Sequence, residues 1–262
     1  MNHIEDGIVA AADAQSLGGK APAYYLQPRN LLDNSDFRNP VNQRGASSYS
    51  GSVYSIDRWK LWTTATTLTI NDGYITNAER EMAQLLESVD TTKTYTLAGC
   101  TSDGVIHILQ GKFDGNNYVD AYLRFVGDSS VYCVGLKPNS WVWAALYEGS
   151  YTTDTLPPYV PKGYAAELAE CRRYYRRNEF LNCVKTSGNY FSVSASIEMR
   201  VVPTAELLTF APYGSSTITD MSGGSIAIAQ SAVGVQRITY ATLPTCSAYS
   251  AGGLAVNLSA DL

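Results

Sequence analysis

Residues 190–202, YFSVSASIEMRVV, set Phe191, Val193, Ala195, Ile197, Met199 and Val201 in strict alternation with Ser192, Ser194, Ser196, Glu198 and Arg200. Successive side chains of a strand point to opposite faces, so this period of two dictates a sheet with one apolar and one wet face. Shorter β-like runs recur upstream, at Ser52–Ile56, Trp59–Leu61, Thr67–Ile70, Tyr95–Ala98, Val105–Leu109, Tyr118–Val126, Ser130–Leu136 and Ser140–Leu146. Others follow at Leu207–Phe210, Ser225–Gln230, Val235–Tyr240 and Leu254–Leu258. Turn clusters of Gly, Asp and Asn separate them, which is the pattern of a β-sandwich. With 19 Tyr, 21 Gly and only 16% charged residues, the composition also suits half-buried strands and tight turns. The expected class is mostly β.

Three segments read as helix. Ile4, Ile8 and Ala11 sit at heptad-like spacing within residues 2–15, a short amphipathic helix that fits the end of a longer coiled coil and a chain that is part of a longer polypeptide. Met82, Leu85, Leu86 and Val89 have helical spacing behind Asn77 as an N-cap, which predicts a helix over 77–89. In YAAELAECRRYYRR, residues 164–177, Tyr164, Leu168, Cys171 and Tyr175 share one face, while Glu167, Glu170, Arg173 and Arg177 point elsewhere. Gly18, Gly19, Pro22 and Pro28 break the first helix into a hinge, and the three prolines of LPPYVPKGY mark a linker. The expected organisation is an N-terminal helix and hinge (1–29), a sandwich (30–161), and a small domain of one helix plus antiparallel sheet (162–262).

A net charge of −5 supplies no basic field for nucleic acid or an anionic membrane, and no run approaches the ~20 apolar residues of a membrane span. The N-terminus lacks a secretory signal pattern. Five cysteines at irregular spacing and two distant histidines suggest no metal site, no cofactor and no disulfide framework, but thiols packed as small hydrophobes in a chain folded in a reducing cytoplasm. His107, between Ile106 and Ile108, reads as a sheet residue, and no GxSxG elbow accompanies it. Glu79 with Glu81 and Glu167 with Glu170 lie beside arginines on expected helices and read as solvated faces. No catalytic residue is assigned, and a carboxylate pair at glycosidase spacing is the one enzymatic route left open. The segment DGNNYVD, 114–120, lacks the glycine and closing glutamate that an EF-hand needs at set positions and reads as a hairpin turn. Arg172, Arg173, Arg176 and Arg177 could bind phosphate or an acidic glycan, but at a helix C-terminus they also favour the macrodipole. Trp59, Trp62, Trp141 and Trp143 are expected in the sandwich core. Tyr213 and Tyr249, in turns, and Asn189 are the candidate receptor-binding residues.

Three stretches carry a resemblance. DAQSLGGKAPAYYL resembles a hinge common in bacteriophage tail fibres. NLLDNSDFRNPVNQRG with YSIDRWKLW resembles the opening of the β-sandwich that follows in fibres of phages of Gram-positive gut bacteria. YEGSYTTDTLPPYVPKGYAAELAECRRYYRR is similar to the junction that closes that sandwich and opens a C-terminal domain. The ordered set covers most of residues 2–202. It implies the C-terminal part of a phage, prophage or tailocin tail fibre or receptor-binding protein. The implied molecule is a homotrimer with a jelly-roll-like sandwich similar to carbohydrate-binding modules, joined to upstream fibre or baseplate segments and located in the virion tail. Asp57, Arg58 and Trp59, and Glu167, Leu168, Cys171, Arg173, Tyr174 and Tyr175, match motif positions that are structural in that family. The function this implies is non-enzymatic attachment to a bacterial surface glycan. The alternatives are a tail-associated glycan depolymerase using a carboxylate pair, a carbohydrate-binding module of a secreted enzyme, and an architectural trimerising fibre cap.

Overall fold

The computed structural model describes residues 28–261 except 129–130, 188–189, 202, 214–218, 222–223, 233–234 and 243–250, with backbone alone at 128, 131, 190, 194–197, 225–232 and 235–242. The helix expected over 2–15 and the hinge as far as residue 27 lie outside the described residues. The described chain is mostly β, with three antiparallel sheets and one α-helix. It forms two compact units. Unit 1 runs to Pro40 and includes Ala46–Ser55 and Trp59–Gly163; unit 2 takes Val41–Gly45, Ile56–Arg58 and Tyr164–Leu262.

Unit 1 holds two sheets. The first has six strands in the order β1 (Ser48–Ser50), β3 (Thr67–Asn71), β4 (Tyr74–Ala78), β11 (Asn139–Glu148), β6 (Tyr95–Thr101), β7 (Ile106–Gly111). The second has five, in the order β2 (Trp59–Leu61), β5 (Met82–Leu85), β10 (Val131–Leu136), β9 (Leu123–Asp128), β8 (Asn117–Val119). Aromatic rings bridge the two, an arrangement consistent with a β-sandwich. Phe113 meets Tyr95 of β6 and Phe125 of β9 edge-on, at centroid distances of 5.2 and 5.3 Å. Glycines make room for them: a Cβ on Gly111 would stand 3.0 Å from the Phe125 ring, and one on Gly99 would stand 2.6 Å from the Trp141 ring. Trp59 and Trp141 are fully buried; Trp59 packs edge-on against Phe37 and donates its indole N–H to the Asn34 carbonyl at 2.9 Å.

The helix expected over 77–89 does not form. β4 and β5 flank a turn at Glu79–Arg80, and Asn77 is a buried bridging residue, not an N-cap. Met82, Ala83 and Gln84 are buried in succession, so both faces of β5 are covered; on one of them Gln84 exchanges hydrogen bonds with the Asp33 backbone at 2.8 and 2.7 Å. A strand covered on both faces loses its period of two, and the sequence then mimics helical spacing. Ser52–Ile56 forms only an isolated bridge at Tyr54. Tyr118–Val126 divides into β8 and β9, because the Asp120 carboxylate accepts the N–H groups of Tyr122 and Leu123 and turns the chain.

Unit 2 opens on helix α1 (Tyr164–Cys171) and builds a seven-stranded sheet, β15 (Thr219–Asp220), β14 (Thr204–Pro212), β18 (Ala251–Ser259), β12 (Tyr175–Ser187), β13 (Tyr190–Glu198), β17 (Val235–Thr242), β16 (Ser225–Ala232). One face is a core of Leu181, Cys183, Phe191, Val193, Phe210, Leu254, Val256 and Leu258, with Met199 and Met221. Phe191 and Val193 face inward and Ser192 outward, as the alternation dictates, although the strand stops at Glu198 and Val201 is exposed. The expected helix over 164–177 stops at Cys171. From Tyr175 the chain instead pairs with β18, and the expected face is altered, with Glu167 buried and Tyr164 exposed.

Substituting Gly252→Ala places a Cβ 2.4 Å from the buried Phe210 ring and 2.6 Å from the Ala211 carbonyl. Overpacking of this kind lowers the unfolding free energy by about 1–3 kcal/mol, whereas Trp59→Ala in unit 1 costs about 3–5 kcal/mol. Urea unfolding followed by circular dichroism reads both losses. An unchanged midpoint for either variant contradicts the packing described.

Candidate functional site

A cleft of about 580 Å³ opens in unit 1 at one end of the five-stranded sheet, within the size range of small-ligand sites. Three short segments and one further residue, Arg124, build it. Trp62, directly after β2, donates its backbone N–H to the Glu81 carbonyl at 3.4 Å, and Thr63–Ala65 turn the chain beneath it. Glu79, Arg80 and Glu81 come from the β4–β5 turn, and Lys137 and Pro138 from the end of β10. Arg124 of β9 reaches over Gly135 to the Glu81 carboxylate at 2.5 Å. Trp62 is 39% exposed and lines the cleft, so part of a large aromatic residue is open to solvent there.

Asn77 fixes two of these segments together. It is 1% exposed; its amide donates to the carbonyls of Arg80 (3.2 Å) and Leu136 (3.0 Å), while its oxygen accepts the Asn139 N–H at 3.4 Å. Glu79 adopts φ 68°, a left-handed conformation costing a side chain roughly 1–2 kcal/mol. The Arg80 N–H to Ala78 carbonyl bond of 2.8 Å and the grip of Asn77 on Arg80 hold that turn. The Trp141 indole in turn holds the Lys137 carbonyl at 3.0 Å. The cleft is therefore set by buried hydrogen bonds.

A second polar cluster lies inside unit 2. Arg44 binds Asp57 at 2.9 Å through one nitrogen and Asp261 at 2.5 Å through the other, with its guanidinium 4.0 Å from the centroid of the Tyr175 ring. Gln43 donates to Asp57 at 2.8 Å and to the Tyr175 carbonyl at 2.7 Å, and Arg58 lies over Tyr174 at 3.5 Å. This cluster brings two carboxylates onto one guanidinium, but Asp57 is 1% exposed and both acids are committed to Arg44, so the arrangement is closed to a substrate. The cluster clasps segments 41–45 and 56–58 to the strands of unit 2. Burial pushes the Asp57 carboxyl up to about 6, against the opposing pull of Gln43 and Arg44, and burial raises Asp261 as well.

Of the candidate receptor residues, Tyr213 is 59% exposed at the end of β14 and donates its hydroxyl to Asn182 at 2.5 Å. Phe180, 60% exposed, lays its ring over Gly253 on the same outer face. Tyr249 and Asn189 lie outside the described residues. The arginine cluster disperses into structural contacts: Arg176 donates to the Arg172 and Glu198 carbonyls, and Arg177 to the Gln43 carbonyl. His107 is a β7 residue stacked on Tyr122 at 3.7 Å; the nearby Thr101 hydroxyl donates to Asp103 at 2.6 Å. Asp114 accepts from the Asn116 N–H and the Tyr118 hydroxyl, closing a turn before β8. The described cysteines are free thiols, and burial pushes Cys133 up to about 12. Trp62 and Trp143 depart from the expected core positions, Trp143 being half-buried and stacked on Tyr159 at 4.7 Å. A signal for Trp62 was present in WKLW: with Trp59 and Leu61 inward, the period of two turns Lys60 and Trp62 outward. No family model, curated protein or solved structure matches the chain.

With Asp57 raised from 3.8 to about 6, the folded chain holds more protons than the unfolded chain between those values. The stability Asp57 contributes is therefore full below 3.8 and lost as pH rises through about 6. Asp57→Asn, which cannot ionise, is expected to gain stability relative to the parent between pH 4 and pH 7 in paired urea titrations. A parent that gains on the variant over that window contradicts the assignment.

Proposed function

We propose that the chain is the distal part of a homotrimeric tail fibre of a phage, prophage or tailocin directed at Gram-positive gut bacteria, and that it attaches the particle to a surface glycan without cleaving it. On this reading residues 1–29 are a coiled-coil helix and hinge leading to upstream fibre or baseplate segments. Residues 30–161 are a jelly-roll-like sandwich of the carbohydrate-binding-module kind, and residues 162–262 form the tip, with Tyr213, Tyr249 and Asn189 as its receptor contacts. The protein folds in the bacterial cytoplasm and works in the virion tail.

The observation that carries the reading is Trp62, a partly exposed tryptophan in the lining of a cleft that also presents carboxylates and cations. An aromatic face covers the apolar side of a sugar ring at little entropic cost, and charged groups around it take the hydroxyls. Glu81 is engaged by Arg124, which suits a fixed wall better than a group that must pass a proton. Three copies on one particle multiply a weak single-site affinity by avidity.

Light scattering is expected to give three times the 28.4 kDa chain mass. In a pull-down with cell walls of Gram-positive gut bacteria, Trp62→Ala is expected to weaken binding about tenfold or more, the loss of one aromatic contact of about 1.4 kcal/mol or more, with the unfolding midpoint unchanged. A monomer that binds no cell wall contradicts the reading. Release of reducing ends that is lost in Glu79→Gln replaces attachment with cleavage.

A further inference from the structure

We propose that the Trp62 cleft selects an anionic saccharide, one whose sugar ring carries a phosphate or carboxylate; this deepens, and rests on, the glycan-binding reading above. Five charged residues line the cleft: Glu79, Arg80, Glu81, Arg124 and Lys137. Arg124 and Glu81 neutralise each other at 2.5 Å. Among the described residues the Arg80 guanidinium and the Lys137 ammonium have no ion pair, and neither does the Glu79 carboxylate. The cleft thus holds two uncommitted cations against one uncommitted anion, on a chain whose net charge is −5.

Both cations come from backbone that is held in place. Asn77 anchors the Arg80 carbonyl, and Lys137 is fixed at both ends of its peptide unit, its N–H donating to the Tyr122 carbonyl at 2.9 Å and its carbonyl accepting from the Trp141 indole. A cation on an anchored backbone loses less freedom on binding, and a guanidinium and an ammonium lining one cleft can both meet the oxygens of a phosphate or carboxylate. The sugar ring lies on Trp62, its anionic substituent reaches Arg80 and Lys137, and Glu79 accepts a hydroxyl. A neutral glycan offers the two cations only hydroxyl oxygens and leaves both without a counter-ion. Because the whole chain is acidic, long-range attraction does not gather polyanions. Selection comes from these short contacts, inside the ~8 Å Debye length at physiological salt.

The test is isothermal titration of the full chain with phosphorylated dextran, polygalacturonate and unmodified dextran at ~0.15 M salt, where charges beyond ~8 Å are screened. The parent, Trp62→Ala, and the double variant Arg80→Gln/Lys137→Gln are compared, with unfolding midpoints measured for each. At least one anionic polymer is expected to bind about tenfold or more tighter than dextran, the scale of one charge-assisted contact. The double variant is expected to lose that advantage while keeping the parental midpoint, and Trp62→Ala to lose it too. Binding of the phosphate polymer alone, or of the uronate alone, upholds the proposal and names the anion. Equal binding of dextran that the double variant does not change overturns it and leaves glycan attachment standing, as does cell-wall capture with neither anionic polymer bound. Anionic binding that survives Trp62→Ala overturns it by placing the ligand outside the cleft.

Discussion

The side chain of Asn77 carries the constraint on which the cleft depends. Where a strand ladder ends inside a protein, its carbonyls and N–H groups still require partners, and a buried one left alone costs about 1–3 kcal/mol. Asn77 supplies three such partners at once, to Arg80, Leu136 and Asn139, and so ties the β4–β5 turn to the connection between β10 and β11. Two other amides work the same way in unit 1. Gln84 exchanges two hydrogen bonds with the Asp33 backbone, and Asn30 serves the Leu146 N–H and the Ala144 carbonyl. The surface that presents Trp62, Arg80 and Lys137 is thereby set before any ligand arrives, which lowers the ordering cost of binding.

Charge is handled in opposite ways in the two units. In unit 2, Arg44 is spent on Asp57 and Asp261 in a nearly dry setting and stacked on Tyr175, which fixes chain segments and offers nothing to a partner. In unit 1, the Arg124–Glu81 pair does the structural work at the cleft wall and leaves the flanking charges open. A burial-raised carboxyl such as Asp57 often marks a functional site, but structural ion pairs shift acids too. Access separates the two cases here.

What was legible in the sequence follows from period. The alternation around Phe191 and Val193 fixed which face of β13 is core, and the runs from Tyr95, Val105 and Ser140 located β6, β7 and β11. β5 was misread because burial on both faces of Met82–Gln84 erases the period of two. β12 was missed in part because the helical pattern running into Arg177 masks a strand whose inward residues are few, Leu181 and Cys183. The cleft was not legible at all as a unit. Its residues come from positions 62–65, 79–81, 124 and 137–138, which only strand pairing assembles. Glu79 and Glu81 looked like a helix face because the turn that aims them depends on Asn77, whose partners lie up to 62 positions away.

Hydrogen exchange of the chain with and without host cell-wall fragments tests most directly whether the cleft is where the partner sits. Protection on binding is expected in the peptides covering 62–65, 79–81 and 137–138. Protection confined to residues 164–262, with those peptides unchanged, would contradict the role of the cleft and leave recognition to the tip residues around Tyr213 alone.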